Sequence, residues 1–168
     1  HILRFQNQAI LTSYKTINTD NPKLNCRLNG LEKFSPTVVV IDKNLKIKIN
    51  SYVIKNLKKS ELIIFHSTKN IAKIKLLRKR GVNLIYHETE NNKNFDLRKI
   101  TQKLYTLGFH RLLVETGKDL MTNFLNDNLL NEFYHFKSDK IISNKDKINI
   151  SSIIKMINKS FKNKKKIN

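Results

Sequence analysis

The sequence predicts an α/β domain on a largely parallel sheet, because apolar runs of strand length alternate with segments of helical period through most of the 168 residues. Two further observations narrow this. A 19.8 kDa chain with 39% hydrophobic residues suffices for one domain with a proper core. Only two prolines and four glycines punctuate it, so turns fall to Asn, Asp and Lys, and each Pro or Gly carries more positional information than usual.

The elements follow in order. LRFQ, from Leu3 to Gln6, reads as the last turn of a helix, and AILTS, from Ala9 to Ser13, as a buried strand. The strand empties into a polar loop holding Thr16, Asp20, Asn21 and Pro22. A continuous β-branched strand, Thr37 to Ile41, is followed by Asp42 and Lys43. Glu61 to His66 forms the next strand. Ile71, Ile74, Leu76 and Leu77 then recur at helical spacing and stop at Gly81. Asn83 to His87 is a strand, and a helix around Leu97, Ile100, Leu104 and Leu107 closes at Gly108. Arg111 to Glu115 is a strand, and a helix from Gly117 carries Leu120, Met121, Phe124 and Leu125 on one face. A sixth strand is expected over Glu132 to Lys137. Residues 145 to 168 read as a helix around Ile153 to Ile157 and a basic tail, SFKNKKKIN. No internal repeat is visible. A parallel α/β domain usually needs an earlier strand to anchor its opening helix, which points to a fragment or part of a longer gene product.

The charge of +20 admits two readings: a polyanionic partner such as nucleic acid, or the residue usage of an AT-rich genome. Only six of the 33 basic residues are arginine, and the lysines come with abundant Asn and Ile, which favours the second. A nucleic-acid module also expects exposed aromatics beside clustered basic residues, whereas here Phe and Tyr mostly fall at apolar-periodic positions. No apolar run approaches the roughly 18 to 20 residues of a membrane span, and the start lacks the regions of a signal peptide; a cytoplasmic location is expected. Cys26 is the sole cysteine, so the chain builds neither an internal disulfide nor a cysteine-based metal cluster. His66, His87, His110 and His135 lie at strand ends or edges without ligand spacing and read as surface or satisfied residues; His1 is a terminus.

Three segments carry chemistry. The first is the loop after AILTS, flanked by Arg4 and Arg27; a loop at a strand's C-terminal end is where open α/β sheets place ligands, although an ordinary Asp-Asn-Pro surface turn would look the same. The second is the strand end at Asp42 and Lys43. The third is the strand, Glu115-Thr116-Gly117, helix junction. There a glycine admits a pyrophosphate close to the backbone and the helix start offers unpaired N–H groups, but a packing glycine would leave the same trace. Glu115, a lone carboxylate ending an apolar strand, needs a polar partner, either a neighbouring loop or a ligand.

These segments resemble the reductase domain of the bifunctional riboflavin-biosynthesis deaminase/reductase, of the dihydrofolate-reductase-like superfamily. The pattern of a Leu-Arg helix end, an Ala-Ile-Leu strand, a Thr, then Asp-(Asp/Asn)-Pro-x-Leu-x-x-Arg is met by Leu3-Arg4, Ala9-Ile10-Leu11, Thr16, Asp20-Asn21-Pro22, Leu24 and Arg27. SPTVVVIDKN resembles Pro-x-x-Val-Val-x-Asp-Ser, with Lys43 departing from the serine. Val114-Glu115-Thr116-Gly117, Leu120 and Leu130-Asn131-Glu132 meet the third pattern, with Thr116 larger than usual. The resemblance covers Leu3 to Lys140.

It implies a dihydrofolate-reductase-like three-layer fold with a mostly parallel central sheet, lacking its first and last strands in this chain. Residues 1–144 would be the reductase domain and 145–168 a C-terminal helix and basic tail. It further implies NADPH-dependent reduction of 5-amino-6-(5-phosphoribosylamino)uracil to the ribitylamino product. Thr16, Asp20, Gly117, Lys118, Asp119, Leu120, Met121, Thr122 and Asn123 are then cofactor contacts, and Arg4, Leu24, Arg27 and Glu115 substrate contacts. Lys43, at the position facing the adenosine side, either pairs with the 2′-phosphate or points to solvent. No catalytic proton donor is assigned. The zinc deaminase half would carry His-x-Glu and Pro-Cys-x-x-Cys; neither is present, so a deaminase domain is expected only in a longer gene product. A homodimer through sheet edges is a family-style expectation. The alternatives are a related reductase with another pterin or pyrimidine substrate, and a basic nucleic-acid-binding module.

Overall fold

Five apolar segments pair in parallel: β1 Ala9–Ser13, β2 Thr37–Ile41, β3 Leu62–His66, β4 Asn83–Tyr86 and β5 Leu112–Val114, in the spatial order β4-β3-β2-β1-β5. The computed structural model describes residues 1–57, 61–89, 95–136 and 151–161. Register runs from Ala9, opposite Thr37 on one side and Leu112 on the other, through Val38–Leu62 to Ile63–Asn83. In β1, β2 and β3 successive residues of both parities are buried, among them Ile10 with Leu11 and Val39 with Val40. A sheet buried on both faces requires a covering layer on each, and that is why these strands are continuous apolar runs rather than alternating ones.

The helices in the first compact unit, His1–Gly117, are α1 Ile2–Gln6, α2 Tyr14–Asp20, α3 Tyr52–Lys55, α4 Ile71–Lys79 and α5 Leu97–Thr106, with a 3-10 turn at Glu32–Phe34. Polar side chains start three of them. Ser13 accepts from the Thr16 N–H, Asn70 from the Lys73 N–H, and Asp96 from the N–H groups of Arg98 and Lys99. Gly81 and Gly108 end α4 and α5 at φ of 89° and 91°, a left-handed conformation that a Cβ would strain. Around Ile10, Val38 and Ile64, one face of the sheet packs with Ile17 of α2, Ile54 of α3 and Leu77 of α4 into a buried cluster.

The second unit, Lys118–Asn168, contains α6 Lys118–Asn126 and α7 Ser151–Ser160, which contact each other. The expected domain boundary at 144/145 and the basic tail from residue 162 lie outside the described residues. No helix among the described residues is long and apolar enough to cross a membrane.

Strands and long helices fall within a residue of their predicted bounds; two expectations are corrected. The polar loop after β1 is in fact the helix α2. Its sequence looks loop-like because it supplies its own ends: Ser13 caps the start, and Asn21 at φ 44° closes the last turn with its N–H on the Ile17 carbonyl before Pro22. The sixth strand does not form over the described residues Glu132 to Phe136. That stretch has no ladder partner among the described residues, and Phe136 stands 81% exposed; Lys137 lies outside the described residues.

Ile10, fully buried at the sheet centre, gives a measure of this packing. Ile10→Ala is expected to cost about 2–5 kcal/mol of unfolding free energy in a urea titration; a loss under about 1 kcal/mol would mean that the face is not closed.

Candidate active site

Parallel pairing puts all five C-terminal strand ends on one edge. The chain builds outward from β1 through β2, β3 and β4, then returns to place β5 on the other side of β1. The C-terminal ends of β1 and β5 are therefore the topological switch point, where open α/β sheets leave a ligand crevice. The segments there are the start of α2 and Glu115 to Gly117, the Glu115 N–H still donating to the Leu11 carbonyl at 3.0 Å.

Arg4 and Glu115 meet at this point. Arg4 Nε donates to Glu115 Oε1 at 2.9 Å and Nη2 to Oε2 at 2.8 Å, a bidentate charge-assisted pair. The hydrogen bond to Glu115 holds the Arg4 pKa above its ordinary value against the opposing effect of burial. Arg4 Nη1 also donates to the Asn25 carbonyl at 3.2 Å, drawing in the segment 21–27. That segment is pinned from below by Leu24, buried at 2% with φ 51°, and by Cys26, whose N–H donates to Ser35 Oγ at 3.1 Å. Arg27 at its end is exposed. Three buried side-chain atoms on these segments, Thr12 Oγ1, Asn25 Oδ1 and Thr116 Oγ1, have no hydrogen-bond partner among the described residues. Buried polar atoms are nearly always paired, so these three leave hydrogen-bonding capacity at this edge.

Thr16 and Asp20 lie one turn apart on α2 and so share a face, Thr16 half-buried with its Oγ1 3.2 Å from Ser13 Oγ, Asp20 exposed. At Gly117 a Cβ would meet nothing within 4 Å among the described residues, and its φ is not left-handed. Neither packing nor backbone strain asks for glycine there; what its missing side chain leaves is open space. Lys118 to Asn123 form the opening turns of α6 in the second unit, with Asp119 in the first turn and Thr122 Oγ1 donating to the Lys118 carbonyl at 2.9 Å.

The structure thus gathers Arg4, Glu115 and the segment bearing Leu24 and Arg27, and pairs Thr16 with Asp20. Leu24 turns its side chain into the core. Lys43 follows β2, one strand away from β1, with its carbonyl accepting from the Ser67 N–H.

Asp42 was legible as a strand end but not as an organiser. It is fully buried, and its two oxygens accept the N–H groups of Lys46 and Ile47 at 2.8 and 2.7 Å. Burial pushes its carboxyl above the ordinary carboxylate value, although those N–H donors pull the other way. The loop so shaped begins at Lys43 and clamps α2: Asn18 donates to the Lys46 carbonyl and accepts from the Lys48 N–H. The signal was the one that singled out Glu115, an acid ending an apolar strand. Of the histidines, His66 is 2% exposed at the end of β3, its ring edge-on to Tyr86, and burial lowers the pKa of both His66 and His87. His110 sits before β5 with its N–H on Gln8 Oε1, and His135 is exposed.

A doubly covered parallel sheet with an arginine–carboxylate pair at its switch point makes this an open α/β domain. Acinetobacter baumannii RibD in its second form shares this fold, with a TM-score of 0.63 at 19% identity over 77% of this chain and 34% of that one. The chain belongs to the RibD C-terminal domain family, which residues 1–146 match. The riboflavin biosynthesis protein RibD of Aquifex aeolicus (strain VF5) is 29% identical over 167 residues, 99% of this chain and 44% of that protein. The 5-amino-6-(5-phosphoribosylamino)uracil reductase of Buchnera aphidicola is 26% identical over 155 residues, 86% of this chain and 72% of that protein. The chain therefore spans less than half the length of the Aquifex relative.

Asp42 supplies a test with a definite sign. Its folded pKa is raised, so its stabilising contribution is fully present below the unfolded pKa and is lost as pH rises through the folded value. Asp42→Asn removes that titration. The stability gap between the parent chain and Asp42→Asn, read by urea unfolding, is expected to be widest at acid pH and to narrow toward neutrality. A gap that widens with pH would show that the two N–H donors outweigh burial.

Proposed function

We propose that this chain catalyses the NADPH-dependent reduction of 5-amino-6-(5-phosphoribosylamino)uracil to its 5-phosphoribitylamino product, in riboflavin biosynthesis. The observation that carries the reading is the gathering of Arg4, Glu115 and the Arg27-bearing segment at the switch point of the sheet.

Arg4, the Leu24 backbone and Arg27 are the substrate contacts in this reading, with Glu115 completing the substrate site beside Arg4. A planar guanidinium suits a phosphate through two parallel N–H donors where lysine offers only a point charge, and in a lysine-rich chain Arg27 is exposed and placed for that role. The residues fit the cofactor as well. The open space at Gly117 lets phosphates approach the backbone, and Thr16 and Asp20 offer a hydroxyl and a carboxylate on one helix face. Lys118, Asp119, Leu120, Met121, Thr122 and Asn123 are assigned to its phosphates on the family pattern, and Lys43 to the 2′-phosphate. When bound, the nicotinamide supplies the hydride. The chain's own residues hold the opened ribosyl carbon in register and fix the phosphate that anchors it, which is where positioning contributes to rate.

The greater length of the Aquifex RibD relative supports a zinc deaminase domain as partner in the longer gene product. Pairing of two copies through sheet edges and a cytoplasmic location complete the proposal.

The chain mixed with NADPH and the phosphoribosylamino-pyrimidine is expected to consume NADPH and yield a product two hydrogens heavier by mass spectrometry. Arg27→Ala is expected to raise KM about tenfold or more, with a smaller change in kcat. Absence of both binding and turnover, in this chain and in the full-length gene product, would overturn the assignment.

A further inference from the structure

The family pattern treats Arg4 and Glu115 as two separate contacts to substrate. In the structure they are one device. Glu115 commits both carboxylate oxygens to Arg4, at 2.9 and 2.8 Å, and Arg4 commits a third nitrogen to the Asn25 carbonyl at 3.2 Å. These contacts use three of the five N–H groups of a guanidinium. They join α1, the end of β5 and the segment leading to Arg27, which are 111 and 21 residues apart in sequence.

Resting on the function proposed above, we infer that Glu115 is a positioning residue that acts through Arg4. Its carboxylate locks the guanidinium in one orientation, with two N–H groups left for the substrate, and the locked guanidinium holds segment 21–27 so that Arg27 is presented alongside. Glu115 then needs no direct contact with the reacting carbon. The chemistry of the pair supports this. A carboxylate whose two oxygens are engaged by one fork is a poor further acceptor, whereas the fork retains donors suited to a phosphate or ribosyl oxygen. The carbonyl of Asn25 can hold Arg4 only while the guanidinium is oriented, because a side chain of that length loses its alignment once the carboxylate is removed.

Two variants and their combination test the idea. Glu115→Gln keeps shape but sets an amide NH2 against one of the Arg4 donors; Arg4→Lys keeps charge but cannot form the fork. Each is expected to raise KM for the phosphoribosylamino-pyrimidine about tenfold or more, to leave kcat within about threefold, and to leave NADPH affinity unchanged. The double variant is expected to be no worse than either single one, because both remove the same device. Effects that multiply, or a Glu115→Gln loss confined to kcat, would overturn the inference and return Glu115 to direct contact with substrate. A second measurement does not depend on activity. In amide NMR spectra, Glu115→Gln is expected to shift the signals of Asn25, Cys26 and Arg27, and unmoved signals would overturn the inference even in a chain that turns nothing over. Lack of turnover in the parent chain would count against the proposed function alone.

Discussion

Everything in the first unit depends on the parallel pairing of β1 with a neighbour on each side. A parallel ladder cannot be closed by a tight turn, so every connection must cross over a face of the sheet. The crossovers cover both faces, which makes the central strands wholly apolar, and they leave all C-terminal ends on one edge. Because β5 joins β1 from the opposite side to β2, the segments following β1 and β5 diverge there. The arginine–carboxylate pair, the Asn25 carbonyl and the hydroxyls of Thr12 and Thr116, which have no partner among the described residues, all belong to that divergence.

Two carboxylates follow apolar strands on this edge and meet opposite fates. Glu115 finds a guanidinium and stays partly accessible. Asp42 is enclosed, and its partners are backbone N–H groups that cannot leave. The first arrangement fixes the orientation of a guanidinium at the switch point. The second fixes a loop, and through Asn18 it ties that loop to the helix bearing Thr16 and Asp20. Similar chemistry at neighbouring strand ends thus yields an accessible ion pair in one case and an enclosed loop anchor in the other, according to burial.

How much of this was legible depended on whether the determinant was local. The strands around Ile10, Val39 and Ile64 were readable because complete burial demands unbroken apolar runs, and α4 and α5 because Gly81 and Gly108 punctuate them. Helix α2 was hidden. Ser13 and Asn21 act as its caps, and cap residues are the same types that make loops. Arg4 and Glu115 were each legible as motif positions, yet that one grips the other was not, since an ion pair between residues 111 positions apart has no local signature. The Asn25 carbonyl is a backbone group and leaves no trace in residue type. The strand expected over Glu132 to Lys137 does not form over the described residues because a short aromatic run says nothing about whether a partner strand exists.

The clasp between Arg4 and Glu115 also carries a consequence for the order of folding. Closing a loop of that span is entropically slow, and the local hairpin-free units from β2 to β4 can settle before it. Of the five described strands, the last to be synthesised is the one that must find β1, and only then do guanidinium and carboxylate come within reach. Assembly of the clasp is therefore a late event on the folding route. A chain that mispairs β5 would keep most of its core yet lack the clasp, so the site itself reports on whether the topology has been completed.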